Sequence, residues 1–505
     1  MTAPTYDLGK LHGGLRLDPH KSESTALPLR TMPVPAQLIL PLTQHVGEAS
    51  DPIVEVGEHV HKGQLVASNG AAIGAPVHAP TSGRILAIEP WPVARRYGDP
   101  APAIVLESDG EDRGPEHAAG SGAYDKLTPD ELKAKILEGG IVGLGGAVFP
   151  TAQKLMQAGT GPLDMLILNG VECEPYISCD DMLMRERADS VVGGAKILLH
   201  ALDIGLCFLV VESDKPEALQ ALGEALGRAA DDRLILKQVP SIYPSGGEDQ
   251  LVQLVTNREV PAGGLPSDVG CVVQNVGTAA AVYDWIGQGL PLISRITTVT
   301  GPGVTQPMNV LVRLGTSVAD LVAFAGGYTD RAEQLIIGGA MTGKSMSTDE
   351  VPVVKACNCI LVLSEAATHG PVLPCIRCGD CADVCPVRLL PQQLHWYYSA
   401  DEEKPLREHG LLDCIECGCC DLVCPSNIPL TASFRRAKNR IRELEDEKAR
   451  ALRARMRFEA RRDRLAKEED ARTLELEKQK NSAKKGGADA IAEIMRRKRD
   501  KDDPD

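Results

Sequence analysis

Cys375-Ile376-Arg377-Cys378-Gly379-Asp380-Cys381-Ala382-Asp383-Val384-Cys385-Pro386 and Cys414-Ile415-Glu416-Cys417-Gly418-Cys419-Cys420-Asp421-Leu422-Val423-Cys424-Pro425 are two copies of one pattern, offset by 39 residues. Three thiolates in one tight loop hold three corners of an iron–sulfur cubane, and the fourth cysteine, beyond a short helix, points away from it to the other cluster. The spacing therefore places Cys375, Cys378, Cys381 and Cys424 on one [4Fe-4S] cluster and Cys414, Cys417, Cys420 and Cys385 on a second. Zinc is the alternative for C-x-x-C repeats, but zinc ribbons need neither four cysteines in so compact a run nor a proline after the last. Cys419, which stands where the first copy has Asp380, reads as a packed bystander.

A chain of 505 residues has room for three or four domains. The other cysteines, Cys173, Cys179, Cys207, Cys271, Cys357 and Cys359, show no disulfide spacing, and labile clusters call for a reducing compartment. Met1 to Lys21 has no apolar core of the signal-peptide kind. The most apolar stretch, Ile197 to Val211, is interrupted by His200 and Asp203 and is too short to span a bilayer, so no transmembrane helix is expected. The net charge is −15, unevenly placed: residues 436–505 carry 23 Lys and Arg against 17 Asp and Glu, net +6, which leaves −21 for the rest. An acidic body argues against nucleic acid as a partner, because neutralising phosphates needs a basic face.

The expected fold is multidomain, α/β plus α+β. After a lead-in (1–34), residues 35–110 are rich in Val, Ile, Pro and Gly in short alternating runs, a small β domain. Within it Val54–Val66 and Val77–Ile85 resemble the two halves of a biotinyl or lipoyl-type barrel-sandwich. The hairpin between them, Asn69 to Ala75, lacks the lysine that carrier domains modify, which predicts docking in place of a swinging arm. His59, His61 and His78 read as ordinary strand histidines, not metal ligands. Residues 125–290 alternate helical and apolar strand segments, the mark of a mostly parallel α/β sheet. Residues 294–365 return to short strands with one helix, and the cluster unit fills 370–435. The tail, 436–505, is a charged helical or disordered run. Ile441, Leu444, Ala451, Leu452, Met456 and Leu465 form only a thin apolar stripe, and the helix is expected to fray at Gly486-Gly487.

Gly143-Leu144-Gly145-Gly146-Ala147-Val148-Phe149-Pro150-Thr151 precedes a helix containing Lys154. Such a run lets backbone N–H groups approach a phosphate or a flat ring, although alone it reads equally well as a tight structural turn. Three further segments, in the same order, resemble with it the flavin site of the respiratory complex I flavoprotein. That family's Gly-Arg-Gly-Gly-Ala-Gly-Phe-Pro-Thr loop is matched by Gly143, Gly145, Gly146, Phe149, Pro150, Thr151 and Lys154. Its Asn-x-Asp-Glu-x-Glu-Pro segment is matched by Asn169, Glu172, Glu174 and Pro175. Its Tyr-x-x-Gly-Glu-Glu segment is matched by Tyr243, Gly246 and Glu248, and its Asn-Asn-Val-Glu-Thr segment by Asn275, Val276 and Thr278. The resemblance implies an FMN site formed by these residues, with NADH as substrate, and makes Glu172 and Glu248 polar contacts to ribose or ribityl hydroxyls. Leu144, Val171, Gly247 and Gln274 depart from the pattern and alter polarity where the nicotinamide nucleotide would stack. Val299–Val304, Val312–Ser317 and Gly326-Gly327 resemble the β-grasp (SLBB-like) domain of the same family, expected between flavin and clusters.

The complex I flavoprotein ends in a single cluster, whereas this chain carries a two-cluster ferredoxin-like unit. The domain order, together with Gly13 to Lys21, resembles the RnfC component of the Rnf (Rsx) ion-translocating electron transport complex. That resemblance implies a peripheral protein at the cytoplasmic face of the bacterial inner membrane. It would pass electrons from NADH through FMN and two [4Fe-4S] clusters to integral membrane and ferredoxin-like partner subunits. Electron flow between NADH and ferredoxin would drive Na+ or H+ across the membrane, with no catalytic side chain needed for hydride transfer. Two other readings share the architecture: a cobalamin reductase of bacterial microcompartments, and a flavin-free iron–sulfur relay.

Overall fold

The structure, a computed structural model, describes residues 8–68, 70, 73–94, 98–114, 124–158, 161–365 and 370–499. By internal contacts the chain forms two compact units, Met1–Phe434 and Arg435–Asp505. None of the described helices is long and apolar enough to cross a membrane.

The centre of the first unit is a four-stranded parallel sheet. In spatial order its strands are Leu234–Val239, Cys207–Glu212, Met165–Gly170 and Cys271–Asn275. Met165–Leu168 and Cys207–Val211 are buried along their whole length, as near-continuous apolar strands are when helices cover both faces. Each crossover carries a helix, among them Ala188–Leu202, Pro216–Ala229 and Glu248–Thr256, and Val276–Gln288 follows the last strand. Helices 188–202 and 276–288 approach so closely that a Cβ on Gly194 would overlap the Ala279 backbone.

Sequence order along this sheet is third, second, first, fourth, so the winding reverses between Met165–Gly170 and Cys271–Asn275. Open α/β sheets bind ligands in the crevice beyond the carboxyl ends of the strands at such a reversal. One strand ends on Asn275 and the other has Asn169 next to its last residue, and the two asparagines are directly paired.

The barrel-sandwich is built from the sheet Gln37–Pro41, Pro100–Ser108, Gly83–Pro92, His59–Val60 and the smaller sheet Asp51–Pro52, Leu65–Ser68, Val77–His78. Asn69, Ala71 and Ala72 of its hairpin lie outside the described residues, but the limb that follows docks within the chain. Gly74 O accepts from Gln153 Nε2 (3.0 Å), Ala75 O from Ser50 Oγ (3.1 Å), and Pro76 O from Lys355 Nζ (2.9 Å). His59 and His61 are exposed, while His78 is buried at this junction. The β-grasp segment supplies Ser294–Thr300, Met308–Arg313, Gln334–Ile337, Lys344–Met346 and Cys359–Leu363 with the helix Val318–Phe324. Its sheet gains a sixth strand, Arg30–Thr31, from what the sequence reads as lead-in.

Lys355 ties three domains together, donating also to Gly140 O (2.7 Å). It is fully buried, and desolvation lowers its pKa from 10.5 to about 7. Between these values the unfolded chain holds one more proton than the folded one at this site. Stability is therefore expected to rise from pH 7 to 10, at up to about 1.4 kcal/mol per pH unit. Melting temperature followed against pH checks this, and Lys355→Met should flatten the slope.

The helix Leu430–Arg499 runs through the second unit, and Leu452, Met456, Phe458 and Leu465 are exposed. The expected fraying at Gly486-Gly487 does not occur: the helix continues to Arg499. Two glycines cost roughly 1 kcal/mol each relative to alanine, and the Ala-, Lys- and Glu-rich flanks contain no proline to break the hydrogen-bond ladder.

Candidate functional site

A cavity of about 510 Å³ opens beyond the paired asparagines, within the roughly 300–1,000 Å³ of ligand sites. It gathers Gly145, Asn169, Glu172, Glu174, Tyr243, Gly246, Glu248 and Asn275 from four separate stretches of sequence. Gly145, Gly246 and Gly247 present bare backbone to it, which leaves a slot suited to a flat ring. Gly143, Gly146, Phe149, Lys154 and Thr278 do not line it, and four of these act from behind. Thr278 is fully buried and its Oγ1 accepts from Leu144 N (2.9 Å). Lys154 pairs with Glu248 (2.6 Å), and Phe149 O accepts from Gly143 N (2.9 Å), closing the glycine loop on itself. Within that loop Val148 adopts φ 46°, costly for a β-branched residue, and its carbonyl accepts from Val46 N of the barrel-sandwich (3.1 Å).

Asn169 and Asn275 do more than face the cavity. Asn169 Nδ2 donates to Gly246 O (2.9 Å) and its Oδ1 accepts from Val171 N (3.0 Å), stitching two loops together. Asn275 caps its helix by accepting from Gly277 N (2.8 Å) and donates to Asp180 Oδ2 (2.6 Å). Asp180 is the residue that sequence reasoning missed. Burial first, and then the Glu172 charge, raise its pKa to about 7, so its carboxyl titrates near neutrality. Glu172 accepts from Asp180 N (2.9 Å) and Asp181 N (3.3 Å), at the start of the helix Cys179–Glu186.

Glu174 grips the β-grasp domain. Its Oε1 accepts from Met341 N (2.9 Å) and Thr342 N (2.7 Å), and its Oε2 from Thr342 Oγ1 (2.8 Å), which brings Thr342 into the cavity wall. The lead-in braces segments that form the cavity. Lys21 Nζ donates to Glu172 O, His20 stacks on Tyr176, and Leu15 pairs with Tyr243. One residue earlier, Gly14 N donates to Val384 O (2.9 Å), beside Cys385.

The cysteines complete the arrangement. Cys375, Cys378, Cys381 and Cys424 line one small cavity, three from the first run and the last from the second. All four are free thiols, a donor set that fits a [4Fe-4S] cluster. On the other side Cys417 and Ile415 line the 510 Å³ cavity itself, and Tyr243 Oη donates to Cys417 O (2.6 Å). Cys385 lies within electrostatic reach of Cys417. Cys419 is fully buried within the second run.

A switch-point cavity with bare glycine walls, abutting the second of two four-cysteine runs, defines a flavin- and iron–sulfur-dependent electron-transfer protein. Domain families match in the same order: the RnfC barrel sandwich hybrid domain at 9–111, the Nuo51 FMN-binding domain at 136–284, the SLBB domain at 296–346 and a 4Fe-4S dicluster domain at 374–428. Three relatives each bear the name of the C component of an ion-translocating oxidoreductase complex. That of Pseudomonas aeruginosa is 49% identical over 92% of this chain and 60% of its own length. That of Rhodobacter capsulatus is 42% identical over 87% and 84%, and that of Serratia proteamaculans 43% over 97% and 69%. The chain belongs to this family, and its cofactors are FMN and two [4Fe-4S] clusters. It spans about 60% of the length of the Pseudomonas relative.

Proposed function

We propose that this chain is the peripheral electron-entry component of an Rnf-type complex at the cytoplasmic face of the bacterial inner membrane. It takes electrons from NADH and delivers them to partner subunits, in a complex that couples transfer between NADH and ferredoxin to Na+ or H+ movement. When bound, FMN converts between a two-electron hydride and single electrons, and the clusters carry electrons one at a time. The observation that carries this reading is the shared wall: Ile415 and Cys417 of the second run face the cavity that also holds Asn169, Glu172 and Asn275.

The chain's own residues supply orientation and proton handling. Asn169 and Asn275 fix the two loops that flank the switch point, and Asp180, pushed up to about 7, takes up or releases a proton near neutrality at the cavity wall. Tyr243, donating to Cys417 O, keeps the second cysteine run against the cavity. The boundaries 35–110, 125–290, 294–365 and 370–435 divide the proposed labour into docking, flavin binding, bridging and electron exit.

The test is anaerobic titration of the purified, FMN-loaded chain with NADH, following flavin and iron–sulfur absorbance together. Bleaching of both is expected. Leu144, Val171 and Gly247 favour a second reading, an iron–sulfur relay without a nucleotide site. Clusters that respond to dithionite and ignore NADH would establish it.

A further inference from the structure

The two cysteine runs are related by backbone as well as by sequence. Arg377 and Glu416 share φ values of 61° and 57°, Gly379 and Gly418 of 95° and 79°, and Arg388 and Asn427 of 56° and 51°, each pair offset by the same 39 residues. Each run then enters a single helical turn, Asp380–Asp383 or Cys419–Leu422. The unit thus presents the same face twice.

The surroundings of those two faces differ. On the second run Ile415 and Cys417 look into the 510 Å³ cavity, and Leu411 is fully buried. Their counterparts on the first run stand at the surface: Ile376 is 67% exposed, Val372 is 61% exposed, and Cys378 is exposed. Leu373 and Leu390 extend this apolar surface, and Leu390 leads into Gln392, whose Oε1 accepts from Cys381 Sγ (3.4 Å). Single exposed apolar residues are ordinary; a group of them framing an exposed ligand cysteine marks an interaction site.

We infer that the face around Val372, Ile376, Cys378 and Leu390 docks a partner subunit that carries a one-electron centre at its own surface. It is the external counterpart of the contact the second run makes with the flavin cavity. The inference rests on the proposed electron-entry function and adds the exit: electrons enter beside Cys417 and leave beside Cys378. An apolar partner surface suits the site, since covering Val372, Ile376 and Leu390 removes them from water and brings the partner's centre next to the exposed corner of the first-run site.

The test uses Val372→Glu and Leu390→Glu, which lie outside the cluster cavity, in the assembled complex, with Met156→Glu as an exposed control on the helix Thr151–Ala158. Within the purified FMN-loaded chain, NADH should reduce the clusters of all three variants as it does those of the wild type. Transfer onward to the remaining subunits should fall at least tenfold, or copurification be lost, in Val372→Glu and Leu390→Glu alone. Wild-type onward transfer and assembly in both would overturn the inference, as would an equal loss in Met156→Glu. Dithionite in place of NADH separates this result from failure of the NADH reading, because it reduces the clusters without the flavin site.

Discussion

Cys424→Ala is expected to empty the cluster site built around Cys375, Cys378 and Cys381 and to leave the site of its own run filled. Cys424 follows Cys420 by four residues in sequence, yet it lines the cavity of the other run. With one of four thiolates gone, that cubane loses a corner ligand and the remaining thiols border a partly solvated cavity, so the cluster is not retained. Iron should fall from about eight to about four atoms per chain. Because the surviving site, with Cys417, borders the flavin cavity, NADH should still bleach the flavin and the one remaining cluster. Iron and sulfide analysis with electron paramagnetic resonance of the reduced chain measures both. The mirror variant, Cys385→Ala, should spare the first-run cluster and disconnect it from the flavin. Loss confined to the mutated residue's own run, in either variant, would disprove the crossed ligation.

What the sequence revealed divides by the range of the interactions. The cysteine runs were legible because cubane ligation imposes a local spacing, and the parallel sheet because strands buried on both faces read as continuous apolar stretches. The flavin-site motifs were legible only as separate segments. Their meeting place depends on the strand order, which pairs Asn169 with Asn275 across more than a hundred residues. Asp180 carried no local signal: an acidic pair opening a helix is ordinary, and its role arises from Asn275 reaching it across 95 residues and from the nearby Glu172. Glu174 matched a cofactor-binding motif, but its two oxygens are engaged by Met341 and Thr342 of a domain that begins more than a hundred residues later. What the lead-in contacts was not legible either, because its partners, Glu172, Tyr243 and Val384, are all more than a hundred residues away.

Gly246→Ala is expected to weaken FMN binding by roughly 5- to 150-fold, whereas Gly145→Ala changes it little. Both glycines line the cavity, and neither has a positive φ, so backbone strain does not separate them. Space does. A Cβ on Gly145 meets nothing nearer than Asn275 Nδ2 at 3.4 Å, an ordinary contact. A Cβ on Gly246 lands 2.5 Å from the Val171 carbonyl oxygen and 3.2 Å from Cys173 Sγ. Neither neighbour yields easily: Val171 N is held by Asn169 Oδ1, whose amide also holds Gly246 O, and Cys173 Sγ accepts from Gly246 N (3.3 Å). The methyl therefore pushes apart the two loops that Asn169 joins and shifts Glu172 with them. Overpacking of this kind costs roughly 1–3 kcal/mol, and about 1.4 kcal/mol is tenfold in affinity. Fluorescence titration of the flavin-free chain with FMN reads the difference directly, and the melting temperature of the same samples shows whether the cost falls on the site or on the whole fold. Equal affinities for the two variants would mean that the wall formed by Gly246 and Val171 does not shape the flavin site.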